Sequence, residues 1–83
     1  MPRQVLDRVT AIVAAQARRD PDALPPEMFL ADLGLDSLGL VEVIFALEEA
    51  YDIQIPFSPD AGFDRLTLAE VALQVAGLAA QRA

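Results

Sequence analysis

The sequence reads as an all-α domain, a three- to four-helix bundle with a long first loop. Three observations point there. Apolar residues recur at helical spacing in three separate stretches. The prolines fall between those stretches, where they stop helices instead of breaking them. And 83 residues leave room for one modest core, so the reading is a single domain over residues 1–83.

The first helix is expected over residues 3–18. Val5, Val9, Ile12, Val13 and Gln16 follow the i, i+4, i+7, i+8 spacing, and Leu6 widens the stripe. Alanines between them favour helix, and Arg18 and Arg19 complement the dipole at its end. Residues 20–36 read as the long loop, because Pro21, Pro25 and Pro26 prevent continuous helix. Met28, Phe29, Leu30, Leu33 and Leu35 are too apolar for a solvated linker, so they are expected to fold back over the core. The second helix is expected from Ser37 to Tyr51, capped by Asp36 or Ser37 and ended by Ile53 and Pro56. A short helical turn is expected within residues 60–65. The last helix starts at Thr67, where Thr67-x-x-Glu70 forms a capping box before an apolar run. Leu68, Val71, Ala72, Val75, Leu78 and Ala79 share its inner face.

Composition removes whole classes of chemistry. There is no cysteine, which excludes disulfides and thiolate metal sites. There is no histidine, which removes the commonest general base and metal ligand. No apolar run of eighteen residues exists to span a membrane, and no signal-peptide block follows Met1. A cytoplasmic, non-enzymatic monomer with neither catalytic nor metal-ligating residues is the expectation. Charge is unevenly placed. Residues 1–19 carry a net +3, residues 20–64 hold eleven acids and no base, and residues 65–83 return to +1. An acidic middle of this kind argues against nucleic acid and for partners that present Lys and Arg.

The second helix has two apolar faces. At about 100° per residue, Leu40, Ile44, Leu47 and Tyr51 cluster within roughly 60°, bordered by Val43. That stripe is the core face. Leu38, Val41 and Phe45 lie opposite it, among Glu42, Glu48, Glu49 and Asp52. Four carboxylates without nearby bases are costly to bury, so this second face should be exposed. An apolar patch rimmed by acids is a docking surface for a basic partner.

The patch begins beside Ser37, in the run Leu33-Gly34-Leu35-Asp36-Ser37-Leu38. A serine at a loop-to-helix junction is exposed, close to unpaired backbone N–H groups and the positive helix end. That place suits a covalently attached phosphate.

From Leu30 to Pro56 the chain resembles the acyl carrier proteins. Asp36-Ser37-Leu38 matches their attachment motif, with Gly34-Leu35 before it; Val41-Glu42, Ala46-Leu47-Glu48-Glu49 and Ile55-Pro56 match their recognition helix and its exit. The resemblance implies a helical bundle of the acyl-carrier type. It implies that Ser37, flanked by Asp36 and Leu38, accepts 4′-phosphopantetheine from coenzyme A through a separate Mg²⁺-dependent phosphopantetheinyl transferase. The arm's thiol would then hold acyl groups as thioesters, which suits a chain with no sulfur nucleophile of its own. Acyl-transferring and condensing enzymes with basic patches would dock on Leu38, Val41, Glu42, Phe45, Glu48, Glu49 and Asp52. A fatty chain could slip between the second helix and its neighbours.

Two departures stand against a housekeeping fatty-acid role. Gly39 stands where fatty-acid carriers usually hold an acid, and Phe57-Ser58-Pro59 replaces the usual acids after Ile-Pro. The run from Phe63 to Ala72 looks more like the carrier domains of polyketide and peptide synthetases. The pathway therefore stays open among fatty-acid, polyketide and related biosynthesis. The competing class is an acidic helical adaptor that acts through docking alone and makes no use of Ser37.

Overall fold

The computed structural model describes residues 3–56 and 62–82. Among these, the fold is all-α, with three helices of equal length: α1 (Arg3–Ala17), α2 (Ser37–Tyr51) and α3 (Leu68–Arg82). The α2 bounds are those expected from the sequence. Helix α1 packs against both α2 and α3, while α2 and α3 touch each other less.

The core follows the apolar stripes. Val9 and Val13 from α1, Val43, Ile44 and Leu47 from α2, and Leu68, Val71, Ala72 and Val75 from α3 are all buried. No polar or charged side chain is buried among the described residues. Leu40 and Tyr51 sit at the core's edge, half-buried. The Tyr51 ring lies under the Arg8 guanidinium at 5.1 Å, a cation–π contact that ties α1 to the end of α2.

Helix α1 stops one residue short of its expected end, and the stop has a specific geometry. Arg18 adopts a left-handed conformation at φ 58°. Its N–H donates to the Ala15 carbonyl, and the Arg19 N–H donates to the Ala14 carbonyl at 2.9 Å. That pair of bonds is a Schellman termination, whose left-handed position normally belongs to glycine.

The long loop is more ordered than a proline-rich linker. Two 3₁₀ turns interrupt it, Pro21–Ala23 and Leu30–Leu33. Asp20 caps the first by accepting from the Asp22 N–H at 2.9 Å. The second drives Leu30 and Leu33 into the core, with Met28 and Leu35 packed against it. Phe29 departs from the expectation. Its backbone pairs with Thr67 in an isolated antiparallel bridge, and its side chain is left 47 % exposed.

That bridge closes the start of α3. The Leu68 N–H donates to the Met28 carbonyl and the Ala69 N–H to the Pro26 carbonyl, at 3.0 and 2.9 Å. The capping box forms as expected: the Glu70 N–H reaches Thr67 Oγ1 at 3.1 Å, and the Thr67 N–H reaches Glu70 Oε1 at 2.9 Å. The donors that a helix leaves unpaired at its N-terminus are thus consumed within the protein. The expected turn before α3 is present as a 3₁₀ turn, Phe63–Arg65. Residues 60 and 61, and the Phe57-Ser58-Pro59 departure, lie outside the described residues.

Candidate functional site

Ser37 is the first residue of α2 and is exposed. The chain reaches it through a tight approach. The Leu30–Leu33 turn ends at Gly34, which is left-handed at φ 75°. No atom crowds that glycine, so the backbone angle and not space calls for it. Asp36 then sits in extended geometry, and its Oδ1 accepts from the Gly39 N–H at 2.7 Å. Asp36 is therefore the N-cap, which leaves the Ser37 hydroxyl free of that task.

The start of α2 differs from that of α3. The Gly39 N–H is capped by Asp36, and the Leu40 N–H returns to the Asp36 carbonyl at 3.0 Å. The N–H groups of Ser37 and Leu38 find no acceptor among the described residues. So one helix N-terminus is sealed by the loop, and the other presents open donors beside an exposed serine. A covalently attached anion is favoured there.

Gly39 has a local reason to be glycine. A Cβ at that position would lie 3.1 Å from Leu35 Cδ2 and 3.3 Å from Asp36 Oδ1. A side chain at this position would press on the Leu35 side chain and on the capping carboxylate of Asp36, and each would have to give by a few tenths of an ångström.

The outer face of α2 is apolar with an acidic rim, as the wheel requires. Leu38 is 65 % exposed and Phe45 is 63 % exposed. Val41 between them is half-buried, and Glu42, Glu49 and Asp52 are exposed. Glu48 separates from this group. It is half-buried, and its Oε2 accepts from the Ile55 N–H at 2.8 Å. Its backbone carbonyl also accepts from Ile53 at 3.1 Å. Glu48 therefore secures the chain that leaves α2, and Ile53 and Ile55 enter the core behind it.

A shallow groove of about 390 Å³ lies between the end of α1 and the start of α2, lined by Asp36 and Leu38 on either side of Ser37 in the chain but not by Ser37 itself. Gln16, Ala17 and Arg18 from the end of α1 form one wall, and Leu33 to Asp36 with Leu38, Gly39 and Glu42 form the other. Among the described residues, Arg18 is its one cation. The sequence gives no reason to single out Arg18 beyond its charge at a helix end. The signal that could have done so is an arginine where a helix terminates and glycine would be cheaper.

Comparison with known proteins agrees with this geometry. The family model described as a phosphopantetheine attachment site matches residues 7–75. The chain belongs to that family. An acyl carrier protein of Thermosynechococcus vestitus is 48 % identical to it over 54 residues, 64 % of this chain and 67 % of that protein. The protein is thus a carrier that uses covalent phosphopantetheine, and members of such a family hold intermediates without catalysing their conversion. Among the described residues, no helix is long and apolar enough to cross a membrane.

Proposed function

We propose that Ser37 is the attachment point of 4′-phosphopantetheine and that the outer face of α2 presents the loaded arm to partner enzymes. The single observation that supports this most is the pairing of an exposed serine with open Ser37 and Leu38 N–H groups at the start of α2. Asp36 holds the helix start rigid through its cap. Leu38 is the first apolar residue a docked partner would meet. The group, when attached, supplies a thiol on a flexible arm, which the chain itself lacks.

Partners are read from charge and shape. Leu38 and Phe45 are apolar anchors, with Val41 between them. Glu42, Glu49 and Asp52 form the acidic rim that would steer enzymes bearing Arg and Lys patches. These partners are a phosphopantetheinyl transferase and the acyl-transferring and condensing enzymes of one biosynthetic route, fatty-acid, polyketide or related. The monomeric carrier would work in the cytoplasm. Glu48 keeps its charge at the edge of this rim while its Oε2 accepts from the Ile55 N–H, so it serves both the rim and the exit from α2.

The absence of cysteine makes the test simple. After incubation with a broad-specificity transferase, coenzyme A and Mg²⁺, a maleimide should label one thiol per chain. A folded Ser37→Ala chain should stay unlabelled. Labelling of that variant would move the attachment point off Ser37, and no labelling of a folded parent would count against the carrier reading and favour the acidic adaptor.

A further inference from the structure

Arg18 combines three observations. It is left-handed at φ 58°, a conformation that costs an arginine free energy and a glycine almost none. It lines the groove whose opposite wall is the loop and helix start around Ser37. And among the described residues it forms no ion pair, although Asp36 and Glu42 line the same groove. The Asp36 carboxylate is already held by the Gly39 N–H. A side chain kept at an unfavourable backbone angle, without a partner of its own, is a candidate for a task that the folded chain alone does not show.

We infer that Arg18 is a positioning residue for the anion at the root of the arm, drawing the phosphodiester on Ser37 toward the groove between the end of α1 and the start of α2. This rests on the attachment reading of Ser37. The chemistry fits. The phosphodiester carries one negative charge in a stretch where residues 20–64 contain no base. Arg18 precedes that stretch by two residues, and the groove sets it opposite the start of α2. A guanidinium offers several donors to phosphate oxygens from one planar group. The open N–H groups of Ser37 and Leu38 would take the oxygens on the helix side, and Arg18 those on the groove side. The arm would then leave Ser37 with a preferred direction.

The test is a thermodynamic cycle between loading and substitution. Apo and loaded forms of the parent, Arg18→Lys, Arg18→Gln and Arg18→Gly are melted side by side, with loading verified by intact mass. The backbone cost at position 18 is present in both apo and loaded forms of one variant, so it cancels from the loading shift. The parent's melting temperature should change on loading by about 2–5 °C more favourably than that of Arg18→Gln. Arg18→Lys should keep most of that difference, and 1 M NaCl should erase it. Arg18→Gly provides the second control. Its apo form should melt higher than the parent's, yet its loading shift should match that of Arg18→Gln. Equal loading shifts in the parent and Arg18→Gln, at low salt, would overturn the inference and leave the attachment site intact. A parent chain that gains no mass would remove both.

Discussion

Replacing Glu48 by alanine should destabilise the protein far more than its place in an acidic row suggests. The carboxylate accepts the Ile55 N–H at 2.8 Å in a partly buried setting. Ile55 and Ile53 are each 8 % exposed, so the freed amide would sit at the edge of the core. A hydrogen bond to a charged group contributes about 1.5–3 kcal/mol, and an unmet, partly buried donor costs about as much. With some access to water, the expected loss is about 2 kcal/mol. For a domain of this size that lowers the melting temperature by roughly 8–16 °C. Glu48→Gln keeps an acceptor and should lose about half as much. Glu42→Ala and Glu49→Ala touch exposed side chains and should stay within about 0.5 kcal/mol of the parent. Thermal and urea unfolding of the four variants would measure this. A Glu48→Ala chain as stable as Glu49→Ala would refute the reasoning, because the Ile55 bond would then carry no stability.

Three further outcomes follow from the geometry. Arg18→Gly should raise the apo melting temperature by about 4–8 °C, by relieving roughly 1 kcal/mol of left-handed strain; calorimetry reads it directly. Leu30→Ala should cost about 2–5 kcal/mol because its side chain is fully buried, whereas Phe29→Ala next to it should cost less than about 1 kcal/mol; urea midpoints compare the two. Thr67→Ala breaks the capping box at α3 and should cost about 1 kcal/mol, with faster amide exchange at Glu70.

Much of this was legible in the residues. Asp36-Ser37 at a loop-to-helix junction located α2, and the period of its apolar residues separated a core face from an outer face. Leu38 and Phe45 are exposed, as expected from the four acids on their side, although only Glu42, Glu49 and Asp52 of those four are themselves exposed. Thr67 and Glu70 announced the start of α3 through a local, four-residue interaction. What stayed hidden depended on distant chain. Three- and four-residue 3₁₀ turns have no periodicity to read, so the 20–36 segment reads as a loop folded back over the core without its two helical turns. Phe29 turned outward because its backbone was claimed by Thr67, thirty-eight residues away. Glu48 turned inward because the chain after Asp52 passes within reach of it, which helix geometry alone cannot foresee. The left-handed Arg18 broke the rule that puts glycine at such a terminus, and no pattern in α1 signals it.

Every role proposed for the face of α2 depends on Ser37 carrying the phosphopantetheine. The chain contains a second serine, Ser58, and thus a built-in internal alternative. The most direct measurement is fragmentation mass spectrometry of the chain after transferase treatment with coenzyme A and Mg²⁺. One phosphopantetheine per chain is expected, localised to Ser37 and absent from Ser37→Ala. A modification at Ser58, or an unmodified chain that is shown to be folded, would contradict it.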